Sequence, residues 1–143
     1  MRTLTKTMVR LAATTVATGA ILGAFAPDAL AEGSFSSSVK QVQPQFDSRT
    51  WKDRNQDTAR TKITLSNCKV NAGGKTPGST PLQSVEVALA KGSTVVKVIK
   101  KACGTYDFGP QTSGDYKFRI MSINGERTKS RQAFLNASVF VSY

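Results

Sequence analysis

The side chains best suited to chemistry in this sequence are two cysteines, Cys68 and Cys103, and a scatter of carboxylates, with no histidine anywhere in the chain. Without histidine, Ser-His-Asp and Cys-His arrangements, histidine metal triads and nuclease sites built on a histidine base are all excluded. Hydrolysis by carboxylates alone needs two acids facing each other across a cleft. Glu32, Asp47, Asp53, Asp57, Glu86, Asp107, Asp115 and Glu126 are available for that role but form no motif. Asp53, Asn55 and Asp57 alternate as in the opening of a calcium loop. The sixth and twelfth places, which should hold glycine and an acid, hold Thr58 and Thr64. No catalytic residue, metal or cofactor is expected from this set. The chain is expected to be a non-enzyme, with a carboxylate-based hydrolase as the more distant alternative.

Other features place the chain outside the cytoplasm. Arg2, Lys6 and Arg10 form a basic start, residues 11–25 are mostly apolar or small, and Ala29-Leu30-Ala31 is an A-x-A site. That pattern predicts a signal peptide over residues 1–31, cleaved after Ala31, and a secreted, extracellular single domain over residues 32–143 with no transmembrane segment in its mature form. The Ala- and Thr-rich leader resembles, in style, those of high-GC Gram-positive bacteria. In an exported chain Cys68 and Cys103 are expected to form one disulfide.

From residue 32 onward, 17 Lys and Arg residues face 8 Asp and Glu residues, a net charge of +9. Such a surplus attracts polyanions. Lys117 and Arg119 fall on one parity of a β run, and Arg127, Lys129 and Arg131 come after it. If that run pairs with the last one, the five residues would form one basic face. Its partner would be an anionic polymer or cell-surface component, held by charge and released by salt. Aromatic residues are not interleaved with these cations, so specific nucleic-acid binding is not expected. Trp51, next to mixed charges, is read either as a ligand platform or as the cap of a core. Lys75 stands in a Gly- and Pro-rich loop, residues 71–81. That loop motivates a second reading, a protein inhibitor or toxin whose partner is a secreted protein. Asn136-Ala137-Ser138 fits a glycosylation sequon inside a β run and is read as coincidence.

The elements that must position these residues all show a period of two. Residues 115–123 alternate Tyr116, Phe118 and Ile120 against Lys117 and Arg119. Residues 134–143 align Leu135, Ala137, Val139, Val141 and Tyr143. Residues 61–68 and 84–91 alternate in the same way. Residues 94–101 carry valines on both parities, interrupted by lysines of the kind that guard a sheet edge. A weaker run anchored by Phe35, Val39 and Val42 precedes Pro44. Cys68 falls on the polar parity of its strand, which predicts a bulge or strand end near Asn67, or a disulfide on the outer surface. Ser113-Gly114-Asp115-Tyr116 ahead of a β run resembles the approach to an immunoglobulin-type tyrosine corner, although position 118 is Phe where that family has cysteine. The count of six or seven strands predicts a small antiparallel β-sandwich, with a closed β-barrel as the alternative.

Overall fold

The computed structural model describes residues 33–143. The expected leader and its cleavage site lie outside them. All regular structure in the described residues is β: β1 Ser34–Val42, β2 Phe46–Asp47, β3 Trp51–Asp53, β4 Thr61–Asn71, β5 Val85–Lys91, β6 Thr94–Lys101, β7 Gly104–Gly109, β8 Gly114–Ile123 and β9 Phe134–Ser142. Sheet one runs β1-β9-β4-β7. Sheet two runs β2-β8-β5-β6, with β3 also paired to β8. Every pairing is antiparallel, and neither sheet closes on itself. The architecture is sandwich-like and is not the closed barrel.

The alternation supplies the core. Ile63 and Leu65 of β4 and Leu135, Val139 and Val141 of β9 are buried from sheet one. Val85, Val87 and Leu89 of β5 and Tyr116, Phe118 and Ile120 of β8 are buried from sheet two, in one cluster. The strand count exceeds the expectation because the polar stretch after Phe46 contributes two short strands, β2 and β3, along β8.

One expectation is corrected. The runs at 115–123 and 134–143 do not pair, because β8 belongs to sheet two and β9 to sheet one. The Asn124-Gly125 turn does form, with both residues at positive φ (52° and 86°) and reciprocal backbone hydrogen bonds between Ile123 and Glu126. The ladder stops there because the charged stretch beyond has no apolar alternation to bury. Asn124 instead fastens the chain entering β5: its Oδ1 accepts the N–H groups of Gln83 and Ser84, and its Nδ2 donates to the Pro81 carbonyl.

The parity conflict at Cys68 is resolved by a bulge. The β4–β9 register shifts between Ser66 and Lys69, and Asn67 adopts φ 53°. The extra residue turns Cys68 and Val70 toward the interior. Cys68 is bonded to Cys103, which lies between β6 and β7 where the chain returns from sheet two to sheet one. Such a bond is consistent with an oxidising compartment. The Tyr116 hydroxyl donates to the Thr112 carbonyl at 2.6 Å, the contact expected of a tyrosine corner. Tyr106 repeats it, donating to the Ala102 carbonyl at 3.0 Å.

Candidate functional site

The structure divides the predicted basic face. Lys117 and Arg119 do share the outer face of sheet two, but both are bound to Asp47 of β2. Lys117 Nζ lies 2.6 Å from Asp47 Oδ2, and Arg119 binds the same carboxylate through Nε and Nη2. The guanidinium and ammonium beside Asp47 hold its carboxyl well below the usual range, against the opposing effect of desolvation. Arg127 donates to Glu86 at 2.7 Å. Lys129 and Arg131 lie in the β8–β9 crossing. The Arg131 carbonyl accepts the Gly73 N–H, so this crossing and the loop that holds Lys75 lie together. Much of the charge expected on one face is therefore neutralised locally or carried elsewhere.

Trp51 is 5% exposed and packs beside Phe35, Tyr116 and Tyr143, so it caps the core and presents no open platform. Lys75 is exposed in a loop curled into turns. Its N–H donates to the Ala72 carbonyl, and its own carbonyl accepts from Asn71 Nδ2. In the would-be calcium loop, Asp53 accepts the Asn55 N–H and Asp57 accepts the Ala59 N–H. Among the described residues no group of three or more His, Cys, Asp or Glu is placed to hold a metal. Asp53 and Asp115 line a depression of about 380 Å³ together with Lys52 and Arg54.

A different site emerges on the outer face of sheet one. Strand β9 is flanked at one level by two bulges. The first is in β1, between Val39 and Val42, with Gln41 at φ 52°. The second is the Asn67 bulge of β4. Bulges bend a strand and re-aim its side chains. Here they open a groove of about 320 Å³ lined by Ser38, Lys40, Asn67, Lys69, Asn136 and Ser138. The groove is braced from below: Asn136 Oδ1 accepts the Gln41 N–H at 3.0 Å, and the Gln41 and Asn71 side-chain amides bond reciprocally. Lys40 and Lys69 are exposed, and among the described residues neither forms an ion pair. Further along β9, Phe140 lies between Ser36 and Thr64 and is 45% exposed.

The outer face thus combines a row of hydroxyls, amide donors and acceptors, an open aromatic ring and uncompensated cations. The sequon residues Asn136 and Ser138 belong to it. The signal in the sequence was the serine alternation of 34, 36 and 38, which Phe35 and Val39 on the other parity mark only weakly. No protein-family model matches the chain, and no curated protein matches it.

Proposed function

We propose that this is a secreted, non-enzymatic binding protein that holds an anionic, sugar-bearing polymer of the cell envelope or extracellular matrix on the outer face of sheet one. The observation that carries the reading is the groove between the two bulges, where Lys40 and Lys69 stand without carboxylate partners among the described residues, on the same face as Phe140. Hydroxyl and amide groups suit polyhydroxylated chains. An exposed ring offers its negative π face to the C–H face of a sugar. The two cations supply attraction to phosphate or carboxylate groups. Three of the acids that a hydrolase would draw on are engaged, since Asp47, Glu86 and Asp107 each bind a cation. The inhibitor reading is less favoured, because Lys75 sits in a turn and lacks the extended backbone that pairs with a protease cleft.

Adsorption to isolated Gram-positive walls across a salt series tests the proposal. Lys40→Glu with Lys69→Glu is expected to weaken binding at least tenfold at low salt and to flatten the salt dependence, as loss of two charge contacts should. Phe140→Ala is expected to weaken binding about three- to tenfold while leaving the salt slope unchanged, the loss of stacking being roughly 1 kcal/mol. Lys52→Glu with Lys75→Glu changes net charge equally and serves as the control. An equal loss in that control, or retention indifferent to molar salt, would sink the proposal.

A further inference from the structure

Strand β6 is an open sheet edge of unusual composition. It ends the order of sheet two, paired to β5 on one side only. Among the described residues, no backbone hydrogen bond joins 94–101 to anything but β5. Val95, Val96 and Val98 are 44%, 46% and 46% exposed; with Phe140 they are the exposed large hydrophobic residues of the described chain. Lys97, Lys100 and Lys101 interrupt them, and none forms an ion pair among the described residues. The run contains no acid. An edge with free N–H and C=O groups and alternating side chains is a template for one more strand.

We infer that β6 is a docking edge for an extended acidic segment of a partner protein, added antiparallel or parallel as a further strand of sheet two. Charge chooses the occupant. A second copy of this chain laid along β6 would bring the lysines of both copies into one ribbon with no carboxylate between them, so the lysines reject self-pairing. The same lysines attract a segment bearing Glu or Asp. The β5–β6 register, which pairs Leu89 with Lys97 and Ala90 with Val95, places a bulge at Val96 and leaves Lys97–Lys101 as the regular stretch. Across it, Lys97, Ile99 and Lys101 share one parity, opposite Leu89, Val87 and Val85, and Val98 and Lys100 share the other, opposite Ala88 and Glu86. A partner strand with acidic residues beside Lys97 and Lys100 and apolar residues beside Val98 and Ile99 meets charge and apolar surface at once. The lysines therefore filter strands by charge, so that the edge stays open to one class of partner and closed to copies of itself.

The test uses a soluble peptide of about eight residues, Glu-Val-Val-Glu written twice, titrated into the full mature chain and tracked by backbone amide NMR and hydrogen exchange. Chemical-shift changes confined to residues 94–101, with slowed exchange of β6 amides, are expected. Lys97→Glu with Lys100→Glu is expected to weaken this peptide at least tenfold and to bind a lysine–valine peptide instead. Both positions are exposed, but Lys100 lies opposite Glu86, so the neutral pair Lys97→Gln with Lys100→Gln, expected to weaken the peptide in the same direction, accompanies it; an unchanged amide spectrum outside β6 confirms the fold of each variant. A glutamate–glycine peptide of equal charge separates strand addition from simple attraction. Equal binding of that peptide, shifts centred on Lys40 and Lys69, no shift at millimolar peptide, or a wild-type dimer formed through β6 would each overturn the inference.

Discussion

Asp47 decides how much of the expected basic face is available, because one carboxylate holds both Lys117 and Arg119. The hydrogen bond from Arg119 is the largest influence lowering its pKa. An unfolded aspartate titrates near 3.9. The folded carboxyl titrates lower, so its stabilisation is complete above about pH 4 and is lost as pH falls through the depressed folded value. Asp47→Asn is expected to cost about 1–2 kcal/mol at neutral pH, since it leaves two half-buried cations with a weaker acceptor. Urea unfolding repeated from about pH 7 down to about pH 2 should show the gap between wild type and variant closing; a gap constant with pH would refute the assignment. Tyr106 titrates at the opposite end. Burial pushes its hydroxyl up to about 12, so the neutral form is favoured in the fold. That contribution is complete below about pH 10 and fades as pH rises toward 12. Tyr106→Phe should cost roughly 1 kcal/mol at neutral pH, with the Ala102 carbonyl left unpaired, and should remove this alkaline sensitivity. The Tyr116 corner was legible from the residues before it. The Tyr106 corner was not, because Cys103-Gly104 read simply as a turn.

At the scale of elements, the bulges decide where the groove lies, and they differed in legibility. The β4 bulge was one of three outcomes that parity allowed, beside a strand end near Asn67 and a disulfide on the outer surface, because Ile63 and Leu65 fix one face and Cys68 falls on the opposite parity; the register shift shows which one the chain takes. The β1 bulge could not be read at all, since a Ser- and Gln-rich strand specifies its register weakly. The alternation of β8 and β9 was equally clear, yet their assignment to different sheets was not. An Asn-Gly turn signals a local reversal and leaves open which sheet the next strand joins. Asn67 offers a direct test, because its φ of 53° is tolerated by Asn and Gly and strained for a β-branched residue. Asn67→Gly is expected to change stability by less than about 0.5 kcal/mol, while Asn67→Val should cost about 1–3 kcal/mol. If chemical denaturation shows the two variants equally stable, the bulge is not held at Asn67. Wall adsorption of Asn67→Val, measured where it remains folded, should fall with the distortion of the groove.

For the whole molecule, the net charge from residue 32 onward motivates the proposed polyanion and assigns it no surface. Which cations stay uncompensated depends on which meet a carboxylate when strands come together, and Asp47 reaches Lys117 from 70 residues away. The disulfide is likewise a statement about the entire sandwich. Cys68 and Cys103, 35 residues apart, close a loop that leaves sheet one at the end of β4, builds β5 and β6 in sheet two, and returns at β7. For a loop of that length the chain-entropy argument gives about 4 kcal/mol as an upper figure. Within it β5 is paired on both sides, by β8 and by β6, whereas β6 is paired to β5 alone and is otherwise held at its C-terminal end, by the Cys103 connection and by the contacts of Lys101 with Thr105 and Tyr106 of β7. Cys68→Ser with Cys103→Ser is therefore expected to lower global stability by about 2–4 kcal/mol. It should also release β6 locally, so that its amides exchange faster by a larger factor than those of β8, where opening requires the whole core to open. A uniform acceleration in β6 and β8 would show that the bond acts only on the unfolded chain. A selective one would show that the crosslink also holds the proposed docking edge in place, so that reduction would weaken capture of the acidic segment before it unfolds the protein.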